Sequence, residues 1–214
     1  MKVGVIDYGV GNLGSVMSAL AQLRVLPTLI TRPIELGSMD RIILPGVGNF
    51  SDCAHLLEKG GWRVALDREV RDAGKPLLGV CVGMQLLASS SMEGGSTDVE
   101  QNNLGLGFIP GKVESLRSLG CILPVPHVGW NSVTALTSQN GLFDGIPHDT
   151  DFYFVHSFTF VPELEEDVLA RTEYGIPVVA AVRRGNVWGT QFHPEKSSRA
   201  GLRLLRNFIE GATC

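Results

Sequence analysis

The sequence predicts an α/β fold: a single domain, residues 1–214, on a mixed, mostly parallel central sheet with helices on both faces and an antiparallel extension. Three observations predict it. Up to Leu87, short apolar runs alternate with helix-periodic stretches, as in βαβ units whose strands are buried on both sides. From Gly111 to Val182 the segments change to strands and turns, an antiparallel continuation of the same domain. With 214 residues, 44% hydrophobic and 19% charged, the chain can bury a sizeable core without dividing.

Met1 to Ile6 reads as the first buried strand, and its interruption at Asp7 argues against a signal peptide. A loop from Asp7 to Gly14 leads into a helix with Val16, Leu20 and Leu23 on one face. Gly9, Gly11 and Gly14 spell G-x-G-x-x-G, so a dinucleotide site must be weighed. The strand, however, runs on through Asp7 and Tyr8. The next strand, Pro27 to Ile30, ends in Thr31-Arg32-Pro33 with no acid to bind ribose hydroxyls, and no nucleotide cofactor is expected.

Arg41 to Leu44 is a third short strand, running into Pro45-Gly46-Val47-Gly48. Glycines at two of these positions let a backbone approach a ligand and re-orient, which suits an oxyanion-binding N–H; an ordinary turn would look the same. Ser51 to Ala73 reads as helix, broken near Gly60-Gly61.

The stretch Lys75 to Leu87 carries the chemistry. An apolar strand, Pro76 to Val80, meets a helix-compatible run, Met84 to Ala88, with Cys81 at the junction and Gly79 and Gly83 two residues to each side. This is the pattern of a nucleophile elbow: the turn exposes its central side chain, and larger flanking residues would collide with neighbouring backbone. Cys81 would sit at a helix N-terminus, where unpaired N–H groups favour a thiolate. The bland alternative is a small buried hydrophobe, so a base elsewhere in the chain is needed.

Ser89 to Gly107 reads as a polar, Gly/Ser-rich loop. Strands follow at Cys121 to Val128, Ser132 to Leu136, Asp151 to Phe160, Val168 to Thr172 and Pro177 to Val182, and a last helix at Ser198 to Ile209. A net charge of −4 without a Lys/Arg cluster argues against a nucleic-acid surface, and no apolar run is long enough to span a membrane. Cys53, Cys81, Cys121 and Cys214 form no C-x-x-C and suggest neither a zinc knuckle nor a disulfide framework, which points to a reducing, cytoplasmic setting.

The base is supplied by Gln191-Phe192-His193-Pro194-Glu195-Lys196, where a strand is expected to end at His193 and Glu195 can fix its tautomer. Cys81, His193 and Glu195 then make a nucleophile, base and orienter. His55 and His148 read as solvated; His127 and His156 sit at strand ends, and no local pair supports a metal built from them with His193.

With these residues assembled, the chain resembles the class I (triad) glutamine amidotransferases, a flavodoxin-like family, and within it the glutaminase subunits of imidazole glycerol phosphate synthase. The likeness runs nearly end to end: Asp7-Tyr8-Gly9 with Gly11-Asn12-Leu13, Pro45-Gly46-Val47-Gly48, Gly79-Val80-Cys81-Val82-Gly83-Met84-Gln85, His127-Val128-Gly129-Trp130-Asn131, Tyr153-Phe154-Val155-His156-Ser157, and Gln191 to Ser197. The resemblance implies hydrolysis of L-glutamine through a Cys81 thioester, with no cofactor. The ammonia would pass to a (β/α)8 cyclase subunit in a heterodimer that makes imidazole glycerol phosphate and aminoimidazole carboxamide ribotide in histidine biosynthesis. It also implies an oxyanion hole from the Val82 and Val47 N–H groups, glutamine contacts at Gly48, Gln85, Ser157 and Phe158, and a cyclase-facing surface with Asn12, Trp130 and Lys196. Phe158 stands where the family usually has Tyr, which removes any contact that depends on the hydroxyl but not one made through the backbone.

Overall fold

A computed structural model describes residues 1–94, 103–136 and 141–211. The chain begins with β1 (Val3–Ile6), α1 (Leu13–Gln22), β2 (Thr28–Ile30) and β3 (Arg41–Gly46). It continues through α2 (Phe50–Lys59), α3 (Trp62–Leu66), β4 (Leu77–Cys81) and α4 (Val82–Gln85). The second half holds β5 (Ser90–Ser91), β6 (Gly111–Ser115), β7 (His127–Ala135), β8 (Thr150–His156), β9 (Phe158–Pro162), β10 (Val168–Glu173), β11 (Pro177–Arg184), β12 (Val187–Thr190) and α5 (Ser198–Glu210).

Nine strands form one sheet in the order β2-β1-β3-β4-β12-β11-β10-β7-β8. Pairings from β2 to β12 are parallel and those from β12 to β8 antiparallel, so the predicted extension shares the parallel half's hydrogen-bond ladder. Every residue of β1, β3, β4 and β12 is buried, which requires cover on both faces. Helices supply it in two groups: α1 packs with β1 and α5, while α2 packs with α3 and α4. A second sheet, β5-β6-β9, adjoins them.

Local chemistry explains the boundaries. β3 carries Pro45 and Gly46 two residues past the predicted end; pairing with β1 stops at Ile43, so Pro45 has no donor to miss on that side. Asn49 caps α2 by accepting the Ser51 and Asp52 N–H groups. Gly61, with φ +71, ends that helix near the predicted break before α3 and a wider turn over Asp67–Asp72. The amphipathic α5 buries Leu204, Leu205, Phe208 and Ile209, each worth about 1.5–3 kcal/mol of apolar burial.

Three expectations need correction. Residues 121–126 form no strand, because Pro124 and Pro126 lack ladder donors; the strand starts at His127 and runs unbroken through the predicted Ser132 segment. The predicted Asp151 to Phe160 strand divides at Ser157, where the chain leaves the large sheet for the small one. Within the Ser89 to Gly107 loop, Ser90–Ser91 pairs with β6 and Ser90 bridges Leu104, while residues 95–102 lie outside the described residues, as does Cys214.

Candidate active site

β4 delivers Cys81 to the junction with α4 at φ 56, ψ −113, a conformation that side-chain-bearing residues rarely adopt. The flanking glycines are required by contact. A Cβ on Gly79 would lie 2.5 Å from the Gly83 carbonyl oxygen, and one on Gly83 would overlap the Leu44 carbonyl, where only backbone could yield. The elbow is therefore present as read. Its helix is not: α4 spans four residues before turns at Leu86 to Ala88, so its dipole gives the sulfur less than the predicted helix would.

The strand carrying the base ends at Thr190, three residues earlier than expected. Gln191 N–H still donates to Ala180 O, whereas His193 N–H donates to Tyr153 O of β8, which turns the chain out of the ladder. Ser197 Oγ locks this bend, donating to His193 O and accepting the Tyr153 N–H. His193 Nδ1 lies 2.8 Å from Glu195 Oε1, and both side chains are at most 2% exposed. A carboxylate only accepts, so Nδ1 carries hydrogen and Nε2 is the basic nitrogen of the neutral ring.

That Nε2 is buried and has no hydrogen bond of normal geometry among the described residues. Burial alone would push the imidazole pKa down. Interaction with the Cys81 sulfur and the hydrogen bond and charge of Glu195 outweigh burial and raise it to about 9. The arrangement thus favours an imidazolium beside the Cys81 sulfur. Asn12 Nδ2 also donates to Glu195 Oε1, at 3.0 Å.

Cys81 and His193 line one cavity of about 310 Å³. Val47, Gly48, Val82, Gln85, Ser157 and Phe158, all singled out from sequence, share its wall. So do Glu93 and His156, which sequence reasoning did not assign to the site. Burial raises the Glu93 carboxyl pKa against the Phe50 N–H, which donates to it at 2.8 Å. Its position four residues past the start of a polar loop carried no signal; only the fold brings it beside the cysteine.

A polar network backs the cavity. Gln85 Nε2 donates both hydrogens, to Phe158 O and Gln191 Oε1, each at 3.0 Å, leaving its own Oε1 as the acceptor available to a ligand. Phe158 thus acts through its backbone, as its missing hydroxyl requires. Its carbonyl also accepts from His156 Nδ1 at 2.8 Å, and His156 Nε2 meets His127 Nδ1 at 3.0 Å. Burial holds both imidazoles neutral, His127 at a pKa of about 4 and His156 at about 3. Their ring nitrogens are turned to each other and not to His193.

Comparison with known proteins decides what this site belongs to. The family model described as Glutamine amidotransferase class-I matches residues 4–212. The chain belongs to the class I glutamine amidotransferases. Among amidotransferase relatives, the imidazole glycerol phosphate synthase subunit HisH of Moorella thermoacetica is 48% identical, over 97% of this chain and 94% of that protein. The subunit of the same name from Neisseria meningitidis is 44% identical over 98% and 99%. A crystal structure of a glutamine amidotransferase shares the fold with TM-score 0.74 at 24% identity, covering 97% of each chain.

The residues expected to face a partner of this amidotransferase divide. Trp130 is 53% exposed on β7 and meets Tyr153 of β8 edge-on at 6.1 Å, and Lys196 Nζ lies 5.8 Å from the Tyr153 ring centre. Both therefore stand on one surface, and Trp130 is not a core residue. Asn12 instead turns its amide inward to Glu195.

Proposed function

We propose that this amidotransferase is the glutaminase subunit of an imidazole glycerol phosphate synthase, acting as one domain in a heterodimer with the cyclase subunit. It hydrolyses L-glutamine and delivers the ammonia to the cyclase, which forms imidazole glycerol phosphate and aminoimidazole carboxamide ribotide in histidine biosynthesis. The observation that carries the reading is the meeting of a strained cysteine with a carboxylate-held imidazole in one cavity, within a chain nearly half identical to HisH subunits.

The proposed chemistry follows from the roles available. The Cys81 thiolate attacks the side-chain amide carbon, and the oxyanion formed is held by the Val82 N–H and, after the Gly46-Val47 peptide re-orients, by the Val47 N–H. Imidazolium His193 protonates the departing nitrogen, ammonia leaves, and a thioester remains. His193 then takes a proton from water, whose oxygen attacks the thioester and releases glutamate and the thiolate. Glu195 keeps the imidazole oriented throughout. Gly48, Gln85, Ser157 and Phe158 bind glutamine, and Glu93 is the acid available for its α-ammonium.

Val128, Trp130 and Val155 expose apolar surface beside the cavity mouth, which suits a cyclase interface that keeps ammonia from water. No described helix is long and apolar enough to cross a membrane, and we assign the enzyme to the cytoplasm, where a free thiol stays reduced. Replacing Cys81 by Ala tests the reading. Glutamine-dependent cyclisation by the heterodimer should vanish while added ammonia still supports it; failure of ammonia to rescue would refute a role limited to ammonia supply.

A further inference from the structure

The amide of Gln191 has its orientation fixed by backbone. Phe158 O can only accept, so Gln85 must present Nε2 to it. The second hydrogen on that nitrogen then needs an acceptor, and Gln191 Oε1 is there at 3.0 Å. Gln191 is therefore obliged to turn its Nε2 towards Cys81 Sγ, 3.8 Å away. Its side chain is wholly buried.

A second contact of the sulfur is unfriendly to charge. Cys81 S–H points at the Val155 carbonyl oxygen at 3.8 Å, a contact that helps the thiol and repels the thiolate. The titratable groups around it are His193, with Glu195 behind, the neutral His156 and the Glu93 carboxyl in the same cavity wall, and the buried Tyr8 hydroxyl and Cys53 thiol; the charged forms of Glu93, Tyr8 and Cys53 would oppose a second negative charge. Apart from His193, the side-chain donor aimed at the sulfur among the described residues is Gln191. A contact of 3.8 Å is loose for a neutral thiol and would tighten against a thiolate, because charge-assisted hydrogen bonds are shorter and stronger.

We propose that Gln191, aligned by Gln85 and the Phe158 carbonyl, is a hydrogen-bond donor that stabilises the Cys81 thiolate and aims it at the substrate. The inference rests on Cys81 being the nucleophile, but its test does not. The full-length chain is alkylated with iodoacetamide across a pH series, and modification of Cys81 is read by peptide mass, with buried Cys53 and Cys121 as internal references. Gln191→Glu keeps an acceptor for Gln85 and removes the donor to sulfur. The midpoint of Cys81 alkylation should move up by about one to two pH units, the effect of one lost charge-assisted hydrogen bond. Glutaminase kcat should fall at least about tenfold with KM for glutamine little changed.

Gln191→Met provides the same readout without an added charge and should shift the midpoint in the same direction, should the Glu variant not fold. An unchanged midpoint in either folded variant overturns the proposal. A shifted midpoint with full glutaminase activity in Cys81→Ala would instead overturn the nucleophile assignment and leave the hydrogen bond standing.

Discussion

Asn12 Nδ2 donates to Glu195 Oε1 at 3.0 Å, tying the first loop of the chain to the carboxylate that orients His193. One oxygen thus accepts from both the imidazole and the amide, while Glu195 Oε2 is buried with no hydrogen-bond partner among the described residues. Asn12 is the group that keeps the carboxylate from rotating. Losing one hydrogen bond to a charged group costs about 1.5–3 kcal/mol, or about 10- to 100-fold. Asn12→Ala should lower glutaminase kcat by about tenfold with KM for glutamine nearly unchanged. A KM effect alone would show that Asn12 does not act through Glu195.

Glu195→Gln replaces an acceptor-only group by one with a neutral amide. The charge and hydrogen bond that help raise His193 to about 9 are then weakened, so burial prevails and the imidazole pKa should fall. An amide that presents its NH2 group would also impose the wrong tautomer, and glutaminase kcat should drop by about 100- to 10,000-fold. NMR titration of the His193 ring nitrogens reads the first effect. A pKa that stays near 9 would assign the shift to Cys81 alone.

These residues mark how far the chain could be read without coordinates. The elbow was legible because Gly79 and Gly83 are forced by contacts within a few residues and with the adjacent strand β3, so the requirement leaves a local signature. The βα alternation and α5 were legible for the same reason. Gln191 to Cys81 and Asn12 to Glu195 join residues 110 and 183 apart, and no periodicity reports such pairs. Cys121 to Val128 misled because its apolar content fits a strand while Pro124 and Pro126 cannot donate to one. The short α4 was hidden because Leu86, Leu87 and Ala88 are buried as a helix face would be.

His127 and His156 make the fold acid-sensitive. Burial lowers both imidazole pKa values below the usual His value of 6.5, so the unfolded chain binds protons there before the native one does. Their contribution to stability is fully present above pH 6.5 and is lost as pH falls through the folded values, about 4 and about 3. Each should cost about 1.4 kcal/mol per pH unit within that window. Urea unfolding at pH 7 and pH 5 tests this. His127→Phe, whose ring can keep the stacking with Phe154 and Tyr174, should show a smaller loss on acidification; an equal loss would place the sensitivity elsewhere.

The outward side of the β7–β8 hairpin carries Val128 opposite Val155 and Trp130 opposite Tyr153, with Val128, Val155 and Trp130 exposed and Lys196 over the tyrosine ring. Val155 also lines the cavity, so whatever covers this stripe reaches the wall of the pocket that holds Cys81. A large aromatic at the centre of such a patch is the usual carrier of binding energy. Trp130→Ala should weaken the heterodimer Kd at least about tenfold by titration calorimetry, and change folding stability by no more than about 0.5 kcal/mol, since the ring is half exposed. If the interface gates the oxyanion loop, the isolated chain should turn glutamine over slowly, and saturating cyclase with its nucleotide should restore the variant's activation. An unchanged Kd would move the interface off this hairpin, and equal turnover with and without the cyclase would remove the gate.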